Sequence, residues 1–153
     1  MTKLQVKKLL TRRKLAQFKK LFDFWCLKLL KKKFPIHCDN RFDAHLVTLD
    51  YGYNHIELVY NTKQLALWSW SMLILGIFHE IGHIKYRLPY DSNNQKIKDE
   101  YLAEKYALRM LKKYYPQYLK SAIRYSKNVL NDKEWQERFP LHYQAFIKIK
   151  DYQ

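Results

Sequence analysis

The order of apolar and polar residues divides the chain into segments of helical period and one segment of strand period. At the start of the chain, apolar side chains recur every three or four residues and so share one helical face. This spacing predicts a long basic amphipathic helix over residues 1–34, ended by Pro35. The members of the apolar face are Leu15, Phe18, Phe22, Trp25 and Leu29.

Between residues 44 and 61 the period changes from helical to alternating. AHLVTLD and HIELVYN are rich in β-branched and other apolar residues, and YGYN joins them. Gly52 and Asn54 can adopt the positive φ that a tight turn requires, so the segment predicts a β-hairpin or two adjacent short strands. Alternation along the second strand separates two sets, namely His55, Glu57 and Val59 against Ile56, Leu58 and Tyr60.

Helical periodicity then returns and continues through the rest of the chain. Pro89, Pro116 and Pro140 punctuate it. The predicted helices cover residues 68–88, 96–115, 117–130 and 140–150, with a short one capped by Asn131 or Asp132. We therefore predict an α+β fold, a mostly helical single domain over residues 1–153 with a small β-sheet before the helix at 68–88 and C-terminal helices over 117–153.

Composition supports a globular chain and argues against disorder as the default interpretation. Of its 153 residues, 48% are apolar, which is enough for a real core. Cys26 and Cys38 lack the spacing of a zinc clip, and we interpret them as reduced thiols of a cytoplasmic protein. Lysines interrupt any apolar region of a signal peptide. The longest oily run, residues 65–78, is shorter than the roughly 20 residues of a transmembrane helix, so no transmembrane segment is predicted.

The positive charge is concentrated in one segment. The chain carries a net charge of +15, and residues 1–33 hold 12 Lys/Arg against one acid, Asp23, which leaves +4 for the remainder. Three interpretations stay open. The lysines can simply solvate the outer face of a packed helix, they can bind nucleic acid, or they can bind an anionic membrane or an acidic partner protein.

The apolar helix predicted at 68–88 contains an unexpected polar segment, HEIGH, at residues 79–83. His79 and His83 are four residues apart and so lie on one helical face, where they can hold one metal ion together. Glu80 follows the first histidine, and its carboxylate can act as general base on a water at that metal. Neutral imidazole suits Zn²⁺. The alternative is a pair of helix histidines with local polar partners.

A third ligand is predicted on the next helix. In KDEYLAEKYALRML, Glu100 and Glu104 share a face with the small residues Ala103 and Ala107, which permit close helix packing. A metal at Glu100 and a hydrogen bond from a ligand histidine to Glu104 would satisfy both carboxylates, although a solvated acidic stripe is also consistent with the spacing. Gly82 allows the hairpin or a second helix to approach the HEIGH helix closely.

HEIGH and the segment EYLAEKYA over residues 100–107 together resemble the motifs of gluzincin metallopeptidases, most narrowly the ImmA/IrrE-like family. The resemblance implies a zincin-like domain with its metallopeptidase core at residues 44–116. It implies that His79, His83 and Glu100 bind Zn²⁺ and that Glu80 is the catalytic base. Glu104 stands where the family has Asn or Asp, and the short loop between the motifs leaves it as an alternative ligand.

The resemblance also implies a class of substrate. Members of that family often cleave helix-turn-helix repressors, which an edge strand of the sheet would bind as an extended segment. Tyr86, Tyr101 and Tyr106 are candidate stabilisers of an oxyanion, although each is also expected as a packing residue.

The predicted function is therefore zinc-dependent peptide hydrolysis. The alternative is a basic nucleic-acid-binding or protein-binding module with a structural or vestigial metal site. The remaining histidines show no ligand spacing, and we interpret them as ordinary: His37, His45, His55 and His142.

Overall fold

Helices dominate the structure, and one small sheet accompanies them, as the sequence predicts. The computed structural model describes residues 1–41, 46–50, 56–87 and 91–153. The chain forms two compact units, Met1–Ser69 and Trp70–Gln153. The predicted core at residues 44–116 takes its strands from the first unit and its two motif helices from the second. The single-domain organisation stays a prediction.

In the first unit, helix α1 spans Lys3–Leu30 without a break. Thr2 and Gln5 form a reciprocal capping box at its start. The helix ends before the predicted residue 34 because Lys31 adopts a left-handed conformation with φ of 60°, and its N–H bonds back to the carbonyl of Leu27. The buried face consists of Phe18, Phe22, Trp25 and Cys26, with the predicted Leu15 and Leu29 half-buried.

The sheet of this unit has three strands in the order β1-β3-β2. Strands β2 (Leu46–Asp50) and β3 (Ile56–Tyr60) pair antiparallel, which confirms the predicted adjacent strands, while the YGYN turn, with His45 and His55, lies outside the described residues. Strand β1 (Ile36–Cys38) was not predicted and pairs parallel with β3. Helix α2 (Thr62–Leu67) follows, and the Lys14 ammonium donates to the carbonyls of Ala66 and Trp68.

The second unit contains the predicted helices with shifted ends. They are α3 (Trp70–Tyr86), α4 (Asn93–Tyr114), α5 (Pro116–Leu130), α6 (Lys133–Arg138) and α7 (Pro140–Phe146), followed by a 3-10 helix at Lys150–Tyr152. Asp132, one of the two predicted residues, caps α6. Helix α7 ends four residues before the predicted 150. Among the described residues, no helix has both the length and the apolar character that crossing a membrane demands.

Helices α3 and α4 pack closely enough to exclude a side chain between them. A Cβ built on Gly82 of α3 would lie 2.8 Å from the Cα of Ala103 in α4 and 3.0 Å from its carbonyl oxygen. The close approach predicted for Gly82 is therefore made by a second helix. Because Ala103 lies about one turn after Asp99 and Glu100, this contact brings these two carboxylates of α4 against the middle of α3.

Candidate metal centre

The two motif histidines lie on α3 with their rings against one another. Apolar neighbours such as Leu73, Ile77 and Ile81 are fully buried and hold this helix in the interior of its unit. The rings of His79 and His83 meet edge to face with centroids 4.6 Å apart. Their Nε2 atoms lie 3.0 Å from one another, so both nitrogens face the same point.

Glu100 of α4 completes a group of three donors around this point. Its Oε2 lies 3.1 Å from Nε2 of His79, and its Oε1 lies 3.5 Å from Nε2 of His83. One donor atom from each of the three side chains lies within 4.8 Å of the other two. His79, His83 and Glu100 can therefore hold a metal ion, and they are the three residues that the sequence predicted.

A second carboxylate orients each ring from the opposite side. Nδ1 of His79 lies 2.6 Å from Oε2 of Glu104, and Nδ1 of His83 lies 2.7 Å from Oδ2 of Asp99. Because an ionised carboxylate only accepts, each Nδ1 must carry the hydrogen and donate it. A neutral ring then has its lone pair on Nε2, the nitrogen that faces Glu100. Metal-binding histidines show this pattern, with a carboxylate fixing the tautomer from behind.

The facing nitrogens require a positive charge between them. Two neutral rings in these tautomers would direct two lone pairs at one another across 3.0 Å, with the Glu100 carboxylate beside them. Such an arrangement is stable only if a proton or a cation lies among the three groups. The donor set, two imidazoles and one carboxylate, fits a divalent ion such as Zn²⁺.

The pKa values of the two histidines and of Glu100 shift in the directions that favour a positive charge between them. Burial alone would lower the pKa of His83, but hydrogen bonds to Asp99 and Glu100 outweigh it and raise the pKa to about 9. Burial would also lower the pKa of His79. Hydrogen bonds to Glu100 and Glu104 outweigh it and raise this pKa well above its ordinary value. Glu100 responds in the reverse sense, because the two imidazoles overcome the effect of burial and hold its pKa well below the ordinary range. Without a metal, the cluster therefore retains a proton.

The general-base candidate, Glu80, is buried at 6% exposure in the same helix. Burial holds the pKa of His142 below its ordinary value, and the negative charges of Glu100 and Glu80 oppose this effect without overcoming it. Glu104 is 4% exposed and also accepts a hydrogen bond from the hydroxyl of Tyr152. Glu104 thus lies behind His79 and is held by two donors, away from the Nε2 side where Glu100 lies.

Three residues of the site escaped the sequence interpretation. Asp99 supports His83, and Tyr152 supports Glu104. Nε2 of His142, in α7, lies 3.3 Å from Oε1 of Glu100, so treating this histidine as ordinary missed its place at the site. The position of Asp99, four residues before Ala103 on the packing face, was a usable signal. His142 and Tyr152 offered none, because only tertiary packing brings them there.

The three tyrosine candidates make ring contacts in the structure. Tyr86 and Tyr106 meet edge to face with centroids 6.1 Å apart. Cations lie over two of the rings, Lys85 and Arg109 at Tyr106 and Lys105 at Tyr101. These are packing contacts of the kind expected for each tyrosine, and an oxyanion role stays a prediction.

The chain was compared with known protein families, curated proteins and solved structures. No protein-family model, curated protein or solved structure matches the chain. The features that bear on function are therefore the geometry of the site and the motifs at residues 79–83 and 100–107.

Proposed function

We propose that this protein is a zinc-dependent metallopeptidase that hydrolyses peptide bonds in a protein substrate. The observation that carries the proposal is the convergence of two imidazole Nε2 atoms, 3.0 Å apart, on one carboxylate, with a second carboxylate fixing each ring from behind. Three protein ligands and an open position are the usual composition of a catalytic zinc site.

His79, His83 and Glu100 would hold the zinc ion. When bound, zinc supplies Lewis-acid chemistry, in that it acidifies water and polarises a carbonyl. The protein contributes orientation. Asp99 and Glu104 keep both rings in the ligating tautomer, and the close α3–α4 contact at Gly82 fixes Glu100 against them.

Glu80 would move the proton. Its carboxylate follows the first histidine ligand on α3 and is shielded from solvent. In the proposed reaction, a carboxylate oxygen of Glu80 accepts a proton from the attacking water and delivers it to the nitrogen of the leaving amine. A structural zinc site has no use for a base at this position, so Glu80 favours an enzyme.

The nature of the substrate stays an expectation from the family resemblance. A transcriptional repressor would be bound as an extended segment by strand addition. In the part of the chain that the structure describes, β1 and β2 lie at the two edges of the sheet, and each would offer backbone groups for such pairing.

His142 supports a second candidate function, a closed metal site of structural purpose. Its Nε2 lies 3.3 Å from Oε1 of Glu100, near enough for the ring to join the ligand set as a fourth member. Structural zinc sites have four protein ligands and no open position. In that case the protein would act as a binding module, with the basic α1 as its contact surface.

Helix α1 supplies the surface that this candidate needs. Most of its Lys and Arg side chains are exposed, as are Leu4 and Leu10, whereas a tertiary hydrogen bond holds Lys14 against α2. Nucleic acid or an acidic partner protein are the partners such a helix would bind. Affinity for DNA that falls steeply with added salt would support this function, and no mobility shift at low ionic strength would remove the nucleic-acid partner.

One experiment separates the candidates. Zinc content is measured by mass spectrometry in the wild type and in His83→Ala, Glu80→Gln and His142→Ala, beside hydrolysis of a denatured protein substrate. The peptidase proposal expects about one zinc per chain, lost in His83→Ala but kept in the other two variants, with hydrolysis abolished in Glu80→Gln. Zinc lost from His142→Ala, with no hydrolysis in the wild type, would favour the closed site. No zinc in the wild type, even after reconstitution, would refute both.

A further inference from the structure

Helix α4 carries its negative and positive charges on opposite faces. Its three carboxylates lie on the face that meets α3 and α7, where Asp99 and Glu104 are buried and Glu100 contacts the histidines of the metal centre. Among the charged residues of α4, only cations are exposed, and four of them follow one line along the helix. These four, which we call the basic stripe, are Lys98, Lys105, Arg109 and Lys112.

The alignment of the basic stripe follows from its spacing. Successive members are separated by seven, four and three residues, so all four lie within a narrow sector of one helical face. From Lys98 to Lys112 the stripe spans about 21 Å of helix axis, at about 1.5 Å per residue. Lys85, near the end of α3, adds a cation beside the stripe. Its ammonium and the guanidinium of Arg109 lie over the same Tyr106 ring, 5.1 and 5.5 Å from the ring centroid.

The positive charge of the basic stripe is not neutralised by a carboxylate. Lys105 and Arg109 contact the rings of Tyr101 and Tyr106, which leave their charges in place. Within the described residues, none of the four cations forms an ion pair. Lys105 and Arg109 are four residues apart, and like charges at that spacing destabilise a helix. A solvated helix face ordinarily mixes both signs, whereas this face accumulates one sign and so favours an anionic partner.

The composition of this face distinguishes among anionic partners. A helix that binds a lipid surface needs exposed apolar side chains to enter it, and a protein interface has an apolar core. Among the large hydrophobic residues that the structure describes, the exposed ones include none on α4. A nucleic acid requires no apolar contact, because its phosphates supply most of the affinity for a basic surface. Its phosphates also form a continuous row, one per about 3.4 Å along each strand, which matches cations arranged in a line.

We propose that the basic stripe binds the phosphate backbone of a nucleic acid. Each cation would lie against a phosphate oxygen, and the guanidinium of Arg109 can donate two parallel hydrogen bonds to one phosphate. Such contacts position a protein without reading sequence. Because the stripe and the ligand Glu100 lie on opposite faces of α4, bound nucleic acid would leave the metal centre uncovered. The proposal goes beyond the peptidase function and does not depend on it.

Two variants with equal loss of charge test the assignment. In the stripe variant, all four members are replaced: Lys98→Gln, Lys105→Gln, Arg109→Gln and Lys112→Gln. In the control variant, three lysines and one arginine at other exposed positions of the second unit are replaced: Lys120→Gln, Arg124→Gln, Lys133→Gln and Lys148→Gln. Helix α1 is intact in both, so any affinity that it contributes is common to all three proteins. Zinc content and helical circular dichroism should be unchanged in both variants, since all eight side chains are exposed.

Binding is measured by fluorescence anisotropy with a labelled DNA strand of about 20 nucleotides and with its duplex, between about 50 and 200 mM salt. At low salt, the stripe variant should bind at least about tenfold more weakly than the wild type. Loss of four phosphate contacts should also reduce the slope of log affinity against log salt concentration, by about 3 on the single strand and about 4 on the duplex. The control variant should keep the slope within about 1 of the wild type.

The stripe is overturned if both variants lose affinity equally, or if the stripe variant binds as tightly as the wild type, because overall charge or α1 would then account for binding. No binding of either DNA by the wild type at low salt would overturn it too. So would binding only to vesicles that contain anionic lipid. If the stripe variant does not fold, Lys105→Gln with Arg109→Gln is compared with Lys120→Gln and Arg124→Gln, and about half the change in slope is expected.

The same proteins separate this proposal from the proposed function. Hydrolysis of a denatured protein substrate is measured beside DNA binding in the wild type and in both variants. A wild type that binds DNA through the stripe but hydrolyses no peptide would support the stripe and refute the peptidase function. A wild type that hydrolyses peptides while its DNA affinity does not depend on the stripe would refute only the present proposal.

Discussion

Replacing Gly82 with alanine should damage the metal centre without touching a ligand. The added Cβ would lie 2.8 Å from the Cα of Ala103, and ordinary contact begins at 3.4 Å, so restoring ordinary contact requires the two helices to separate by about 0.6 Å at this point. Backbone cannot rotate away as a flexible side chain can. The shift therefore passes to Glu100, which lies less than one turn from Ala103 on α4.

The expected magnitude follows from two opposing effects on stability. Overpacking costs ~1–3 kcal/mol, while alanine in a helix interior regains ~0.5–1 kcal/mol over glycine, so the metal-free protein should lose no more than ~2.5 kcal/mol of its free energy of unfolding. Zinc binding should suffer more clearly, because ligand distances tolerate only about 0.2 Å of error. We expect zinc affinity to fall by at least about tenfold, or ~1.4 kcal/mol.

Two measurements check this prediction, namely zinc affinity by competition with a chromogenic chelator and urea unfolding of the metal-free protein. Gly76→Ala is the matched control, since it makes the same change in the same helix, six residues before Gly82 and so on a different helical face. Zinc affinity should be unchanged in Gly76→Ala. A Gly82→Ala protein that binds zinc as tightly as the wild type would refute the argument that this contact sets the position of Glu100.

Three further predictions concern other parts of the chain. Tyr152→Phe should weaken zinc binding by about tenfold, measured by the same competition, because Glu104 loses the hydroxyl that orients it. In the metal-free protein, the pKa of His83 near 9 stabilises the fold fully below about pH 6.5 and less as the pH rises through 9, so urea unfolding in chelator should show stability falling over that interval. Burial, aided by Asp23, raises the pKa of Cys26 to about 12, so a thiol reagent should titrate only the exposed Cys38 until the protein is unfolded.

Local spacing was sufficient to predict the three residues that can hold a metal. His79 and His83 are one helical turn apart on one helix, so their approach depends only on helix geometry. Glu100 required one tertiary assumption, that α4 packs against α3, and the small residues Gly82 and Ala103 signalled that contact. Metal-ligand candidates that lie on one helix, or on two helices in direct contact, could therefore be predicted from the sequence.

Contacts between elements distant in the sequence could not be predicted in this way. His142 reaches Glu100 from 42 residues further along the chain, and Tyr152 reaches Glu104 across 48. Strand β1 has only three residues and forms by parallel pairing with β3, so it shows no alternating pattern of its own. The ends of α1 and α7 also moved, because single backbone conformations such as the left-handed Lys31 decide where a helix stops.

The acidic residues give the strongest general argument that the centre serves a metal rather than a proton. In a chain with only 14 Asp/Glu, four surround or adjoin one pair of imidazoles, and three of them are buried. The facing Nε2 atoms, 3.0 Å apart, have room for one shared proton, because two N–H groups pointing at each other would clash. One proton compensates a single carboxylate, whereas a divalent ion supplies twice that charge at the same point and satisfies Glu100 as well. A shared cation would thus explain why an apolar helix carries the polar residues of HEIGH beside buried carboxylates.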